Sequence, residues 1–435
     1  MDSITLSNPL SKADGLEAMS LSFASLKDAV GRQEDSITTE RLEKGNTILD
    51  TYKIISDPIS GGMGSVWQVY NEGWKLELAM KRPRPRFFAE GGPERRKNFL
   101  RECENWIRLG LHPNIVSCYY VREISGVPSV FSEWMDGGSL KDRIRDQSLY
   151  SGTSEEVQER ILDIAVQAAR GLMYSHANGL LHQDMKPGNL LLTGEWDAKI
   201  ADFGLANSGS YPDAKKSMGY TPEYCPREQA EGARPARWMD VYAWALTVLE
   251  MYAGGRLWEK GEEAEEQCGL YFERCRVKVP AHMRLLIVSC LTEKLNGFGS
   301  VLPSLEQIYS EVTGRRYPRK YPEKAASDTA DSLNNRAMSY LDLGMPEEAQ
   351  KLWEEALLRE PDHADTIFNR ELYLLRNSRK TDTQVRLVLN SYETTKAIGA
   401  ADLIAMECGG TYEVGTESAH SWNCPKGNVF DISKI

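Results

Sequence analysis

Two short runs constrain this chain more than any other part of it: His182-Gln183-Asp184-Met185-Lys186-Pro187-Gly188-Asn189 and, a little further on, Asp202-Phe203-Gly204. Between them they supply two carboxylates, a carboxamide and an ammonium group. Such a set can gather a hydroxyl, a γ-phosphate and two Mg2+ ions in one site, because Mg2+ takes hard oxygen donors and a lysine acts on phosphate as a point charge. Either run alone is weak, since Asp and Asn are common turn residues. Their order and spacing carry the weight.

The first run matches the H-R-D-L-x-x-x-N catalytic loop of protein kinases, with Gln183 where the pattern has Arg, and the second matches the D-F-G triplet. The chain therefore resembles a Ser/Thr protein kinase. The resemblance implies a two-lobed α+β protein kinase fold that uses ATP and Mg2+. On that reading Asp184 accepts the hydroxyl proton and aims the attacking oxygen, Asn189 and Asp202 hold the metal, and Lys186 lies beside the transferring phosphate. Lys at 186 resembles the Ser/Thr-specific branch. Phosphoryl transfer asks a protein mainly for alignment and charge neutralisation, so these residue types suffice.

Upstream, Ile59-Ser60-Gly61-Gly62-Met63-Gly64-Ser65-Val66 reads as a glycine-rich hairpin between two strands that run from near Tyr52 and out through Tyr70. Glycines let backbone approach phosphate oxygens without a Cβ in the way. Against the kinase G-x-G-x-x-G-x-V pattern, Gly61 and Gly64 fall on the second and third glycines and Ile59 on the first. Ala79-Met80-Lys81 follows, and Lys81 resembles the strand lysine that pairs with the α- and β-phosphates. The segment from Glu94 to Leu109 is helical in pattern, with Phe99, Cys103, Trp106 and Leu109 at three-to-four spacing. Glu102 is the residue of this helix that the resemblance makes the partner of Lys81. The segment Ser129 to Met135 alternates like a buried strand and leads into the Asp136-Gly137-Gly138 turn. In the kinase pattern this is the hinge, where the backbone of Glu133 and Met135 holds adenine, with Ser132 as a small gatekeeper.

Past Asp202 the chain is rich in hydroxyls from Leu205 to Ser217, and Tyr220 to Gln229 resembles the kinase G-T-P-x-Y-x-A-P-E-Q segment. There Thr221 is implied to reach Asp184 and Lys186. Pro226-Arg227-Glu228 stands where A-P-E is expected, and the residue that pairs with Glu228 has no counterpart in the sequence, Leu302 occupying its place. Asp240 to Met251 reads as an apolar helix whose leading Asp either anchors the catalytic loop or caps the helix, two roles that do not exclude each other. Gln183 carries no charge to hold a phosphate on the activation segment, so activity is expected not to depend on phosphorylation of Ser208, Ser210 or Ser217.

Composition frames the rest. A chain of 435 residues with 41% hydrophobic content can form about two to three domains. The net charge of -11 speaks against a nucleic-acid surface, and no apolar stretch is long enough for a membrane span. Eight cysteines without a disulfide spacing fit a cytoplasmic setting. The expected organisation is a polar segment over 1–46, a kinase domain over 47–316, a basic linker over 317–328 whose charge is read as solvation, a helical repeat over 329–378 and a C-terminal segment of unknown fold over 379–435. Leu333, Ala337, Tyr340, Gly344, Ala349, Trp353, Ala356 and Pro361 sit at the offsets of one tetratricopeptide repeat, and a partial second copy runs from Ala364 to Arg376. One repeat cannot bury its own face, so the helices either pack on the kinase lobe or continue outside this chain. The repeat implies a peptide or protein partner in addition to protein substrates. Cys408, His420 and Cys424 match no zinc spacing. The competing reading is a nucleotide-binding scaffold that transfers little, kept open by Ile59, Gln183 and Pro226-Arg227-Glu228. A small-molecule phosphotransferase is disfavoured by Lys186 and the Thr221 segment.

Overall fold

The computed structural model describes residues 42–49, 51–60, 64–72, 75–83, 99–101, 103–124, 127–203, 207–208, 220–320, 329–377, 379–393, 395, 421–423 and 429–431. Gly61, Gly62, Met63, Glu102, Gly204, Ser210, Ser217, the N-terminal leader and the Cys408, His420 and Cys424 set lie outside these residues. The described chain forms two compact units: a sheet unit from residues 42–83, 119–132 and 329 onward, and a helical unit from 99–118 and 133–320. Among the described residues no helix is long and apolar enough to cross a membrane.

The sheet unit is built on strands β1 (Thr47–Ile48), β2 (Tyr52–Ile54), β3 (Ile59–Ser60), β4 (Gly64–Asn71), β5 (Leu76–Pro83), β6 (Cys118–Ile124) and β7 (Val127–Glu133), in the order β1-β2-β4-β5-β7-β6 with β3 paired to β4. Alternation explains β5: Leu78 and Met80 are buried on one face, while Ala79 and Lys81 are half-buried on the other. The apolar face closes on an aromatic cluster, with the Phe131 ring 4.5 Å from Tyr52 and 4.9 Å from Tyr120. The alternating burial expected along β7 does not occur. Ser129 and Ser132 are as buried as Val130 and Phe131, because β7 lies inside the sheet between β5 and β6.

β6 ends the strand order, and an open strand edge would leave unpaired amides. The helix Ala330–Asp342 covers it. Val121 N–H donates to Ser339 Oγ at 3.0 Å and Glu123 N–H to Asp342 Oδ2 at 3.3 Å, while the buried Arg122 places its Nε 3.1 Å from Asp342. Burial pushes the Asp342 carboxyl up to about 6 in spite of Arg122. The helices after residue 329 therefore pack on the sheet, one of the arrangements expected for them. Leu333, Ala337, Ala349, Trp353 and Ala356 form the seam between Ala330–Asp342 and Pro346–Arg359, and Trp353 Nε1 donates to the buried Asn334 Oδ1 at 3.0 Å. A third helix, Ala364–Arg376, adds Ile367, Phe368 and Leu372, and Asn369 Nδ2 donates to the same Asn334 oxygen at 3.0 Å. A fourth follows at Asp382–Ser391.

In the helical unit the longest helix, Ser154–Ala177, starts at a capping box between Thr153 and Glu156 and buries Ile161, Leu162, Ala165, Ala168, Ala169 and Leu172. It packs on Arg237–Ala253 and Val301–Thr313. Gly171 lets the chain at 114 approach closely: a Cβ there would stand 2.5 Å from the Asn114 carbonyl oxygen and 2.8 Å from Ile200 Cδ1. The start of the basic run read as a solvated linker is bound to this helix. Arg319 reaches Asp163 (Nε to Oδ1 2.9 Å, Nη2 to Oδ2 3.0 Å) and Asp197, and Tyr317 donates to Asp163 Oδ1 at 2.7 Å. The Arg170 guanidinium lies 4.7 Å from the Tyr317 ring centre. Linear charge patterning reads such a run as solvated because its acidic partners stand more than a hundred residues upstream.

Gly171→Ala is expected to cost about 1–2 kcal/mol, since clash with immovable backbone outweighs the gain of about 1 kcal/mol in helix propensity. Gly269→Ala, in the helix Gly261–Arg274 with open space around its Cβ, is expected to gain about 0.5–1 kcal/mol. Urea unfolding of both variants measures the two signs.

Candidate active site

The site is organised from one buried carboxylate. The helix Arg237–Ala253 is N-capped at Ala236, not at Asp240, and Asp240 points into the catalytic loop instead. Asp240 Oδ2 accepts the His182 amide at 2.9 Å, and Oδ1 accepts the Gln183 amide at 2.7 Å. His176 Nε2 lies 2.7 Å from Oδ2, and a carboxylate oxygen only accepts, so this nitrogen carries the proton. Burial alone would raise the Asp240 carboxyl, but the His176 hydrogen bond and the amides hold it below the usual carboxylate range. The capping expectation therefore does not apply.

The loop so held is strained. Gln183 has φ +65° and Asp202 φ +63°, left-handed conformations that cost a non-glycine residue roughly 1–3 kcal/mol. Gln183 is fixed from both sides, its carbonyl accepting Gln229 Nε2 at 2.8 Å. His182 joins the two motifs. Its Nδ1 accepts the Asp184 amide at 3.2 Å, so Nε2 carries the proton and donates to the Ala201 carbonyl at 3.0 Å, while its ring meets Phe203 edge-on at 5.0 Å. Ala201 N–H donates to the Asn189 carbonyl at 2.8 Å. Asp202 is thus clamped on both sides, between Ala201 and Phe203, by the loop that carries Asp184.

Asp184, Lys186, Asn189 and Thr221 come together in one cluster. Asp184 Oδ1 accepts Thr221 Oγ1–H at 2.6 Å, and Oδ2 accepts Lys186 Nζ at 2.5 Å and Asn189 Nδ2 at 3.1 Å. Lys186 Nζ also donates to Thr221 Oγ1 at 2.7 Å. Asn189 Nδ2 donates to the Asp184 carbonyl oxygen at 2.8 Å, which fixes the orientation of its amide and leaves Oδ1 as the atom it can offer a cation. The pair Asn189 and Asp202 fits Mg2+: hard oxygen donors from the protein are few at such sites, with phosphates and water completing the shell. Among the described residues no set of three or more His, Cys, Asp or Glu side chains forms a separate metal cage.

Around the cluster the helical unit adds ion pairs that carry no sequence motif. Lys199, three residues before Asp202, pairs with the Glu133 side chain at 2.5 Å, and the Glu133 amide donates to the Ser117 carbonyl at 3.0 Å. Met135 is buried beside it, its carbonyl accepting Gly138 N–H at 3.3 Å. Glu228 pairs with Lys294 at 2.5 Å, and that hydrogen bond holds its carboxyl below the usual range. Lys294 has φ +50° and stands 5.0 Å from the Trp238 ring centre. The partner of Glu228, without a counterpart at Leu302, is this lysine. A loop lysine after the helix Ala281–Thr292 gives no signal of its own. Tyr224 donates to the buried Glu250, and Arg256 pairs with Glu223 at 2.5 Å, so the Thr221 segment is tied down along its length.

In the sheet unit, β3 and β4 pair as a hairpin with Ile59 opposite Val66 and Ser60 opposite Ser65, whose hydroxyls lie 3.2 Å apart. Ile59 is exposed, and Val66 faces Lys81 across the β4–β5 pair. Gly64 has to be glycine: a Cβ would stand 2.3 Å from the Arg82 carbonyl oxygen. Ala79 and Lys81 share the more open face of β5.

With this geometry in hand, comparison with known proteins gives a family. Residues 59–305, more than half of the chain, match the protein kinase domain family model. The chain is 33% identical over 205 residues to a serine/threonine-protein kinase of Corynebacterium efficiens, covering 45% of this chain and 37% of that protein. It is 29% identical over 200 residues to a probable serine/threonine-protein kinase of Streptomyces coelicolor, covering 44% and 28%. It is 30% identical over 220 residues to the serine/threonine-protein kinase PknA of Mycobacterium tuberculosis, covering 49% of each. The matches span less than half of each of these relatives. The chain belongs to the protein kinase domain family.

Gln183 is buried and uncharged, and its backbone is anchored by hydrogen bonds to Asp240 and Gln229. Joint alanine substitution of Ser208, Ser210 and Ser217, with Thr221 intact, is expected to leave phosphotransfer unchanged. Loss of activity that acidic residues at those positions restore would contradict this.

Proposed function

We propose that the protein is an ATP- and Mg2+-dependent protein kinase that phosphorylates Ser and Thr hydroxyls of proteins. The observation that carries this is the Asp184, Lys186, Asn189 and Thr221 cluster, held on the Asp240 carboxylate and joined to Asp202 through His182. Asp184 takes the proton of the substrate hydroxyl as that oxygen bonds to the γ-phosphorus and ADP leaves. Lys186 stands beside the transferring phosphate, and Thr221 keeps Asp184 and Lys186 in register. Asn189 and Asp202 hold Mg2+, which when bound neutralises phosphate charge. Ile59, Ser60, Gly61, Gly62, Met63, Gly64, Ser65 and Val66 form the loop over the phosphates, Ala79 lines the adenine side and Lys81 orients the α- and β-phosphates with Glu102. The carbonyl of Glu133 and the amide of Met135 receive adenine.

The helices after Thr329 support a tetratricopeptide-like reading. Ala330-Asp331-Ser332-Leu333-Asn334-Asn335-Arg336 and Ala364-Asp365-Thr366-Ile367-Phe368-Asn369-Arg370 share their wording at a separation of about 34 residues, the period of that repeat. Within the proposed organisation of 1–46, 47–316, 317–328, 329–378 and 379–435, the fourth segment is the one that takes a protein partner. A cytoplasmic setting suits the free thiols of the described cysteines.

Incorporation of label from γ-labelled ATP into the protein itself and into a generic basic protein, with Mg2+ present, tests the reading. Label is expected on Ser and Thr, and Asp184→Ala and Lys81→Ala are each expected to reduce it by about 10²- to 10⁴-fold. Magnesium-dependent nucleotide binding without transfer in the wild type would favour the scaffold reading instead.

A further inference from the structure

The helix Ala330–Asp342 does more than shield a strand edge. Ser339 and Asp342, three residues apart and so on one helix face, take the amides of Val121 and Glu123, the two successive outward amides of β6. Between those amides Arg122 is buried against Asp342. At the end of the same strand, the Ile124 carbonyl accepts Arg82 Nη2 at 3.0 Å. Arg82 follows Lys81 directly on β5 and is itself buried. The Arg82 carbonyl is the atom that Gly64 packs against. One unbroken line of contacts therefore runs from the helical repeat through β6 to the lysine and to the glycine of the phosphate loop.

We propose that the helical repeat is a built-in clasp on the kinase sheet, and that Ser339, Arg122 and Asp342 are positioning residues that set Lys81, and with it nucleotide affinity, from a distance. The face of the first repeat helix that carries Ser339 and Asp342 is occupied by β6, so any partner of the repeat engages other faces. The chemistry favours a device for placement: a buried arginine opposite a buried carboxylate adds little over an apolar pair, yet losing one partner leaves a charge stranded in the interior. A strand so held has two states, clasped and released, and whatever stabilises or displaces the repeat shifts nucleotide binding by the same coupling. The effect on nucleotide rests on the kinase reading above. The clasp itself does not.

The test uses the full chain and two readouts, amide hydrogen exchange at Val121 and Glu123 and the dissociation constant of Mg-ATP. Asp342→Ala is expected to speed exchange at both amides by about tenfold or more and to weaken Mg-ATP by about three- to tenfold. The same substitution in an Arg122→Met background is expected to do much less, because no charge is stranded. Ser339→Ala, which leaves no charge behind and keeps the helix, is expected to speed exchange at Val121 more than at Glu123, which makes the test independent of any folding defect in Asp342→Ala. Unchanged exchange at Val121 in Ser339→Ala overturns the clasp. Faster exchange with unchanged Mg-ATP affinity overturns the coupling to Lys81. An equal effect of Asp342→Ala with and without Arg122 overturns the role of the ion pair. Should the wild type fail to bind Mg-ATP, the kinase reading and the coupling fall, while the exchange arm still decides the clasp.

Discussion

The catalytic loop depends on the carboxylate of Asp240. It is almost wholly buried, and it accepts two successive backbone amides and an imidazole N–H. An ionised group in such a place is tolerable only because every donor around it is aimed at it, and the same donors then cannot move without stranding it. The loop pays for this rigidity with a left-handed Gln183, and the segment after the strand Ala198–Ile200 with a left-handed Asp202. His182 carries the constraint from one motif to the other. Preorganisation of this kind is what a phosphotransfer site needs, since the reaction asks for aligned charges and offers the protein little covalent work.

A second constraint acts in the sheet unit. Gly64 and Lys81 lie on adjacent strands whose register is fixed by pairing, from Gly64 opposite Pro83 to Asn71 opposite Leu76. Strand pairing alone would leave the β6 end of the sheet open. The helix Ala330–Asp342 closes it with two hydrogen bonds and one buried ion pair, and burial raises the carboxyl of Asp342 in spite of Arg122. The helices after Thr329 belong to the same compact unit as the sheet.

Much of this was legible in the sequence because it is written in local patterns. The two catalytic runs, the glycine hairpin with Ile59 at its head, the alternation of β5 and the helix opened by Asp240 all follow from spacing within a few residues. The seam between the helices Ala330–Asp342 and Pro346–Arg359 was legible for the same reason, from Ala337, Ala349, Trp353 and Ala356. What was not legible depends on contacts between distant residues. Lys294 and Glu228 stand far apart in the chain, as do Lys199 and Glu133, and a lone lysine in a loop or on a strand carries no pattern. Arg319 looked solvated because Asp163 and Asp197 are brought to it only by the fold. The capping role weighed for Asp240 failed since helix starts are defined by backbone conformation, and the chain turns helical after Ala236.

The most direct measurement of the account is steady-state kinetics of Asp240→Asn in the full chain, with Mg-ATP binding measured alongside. Asparagine keeps the shape but replaces one acceptor oxygen with an NH2 group, which cannot satisfy both amides and His176 at once. The account predicts a folded protein that still binds Mg-ATP and whose kcat falls about 10²-fold, the usual consequence of misplacing a catalytic group by an ångström or so. A variant with wild-type kcat would contradict it.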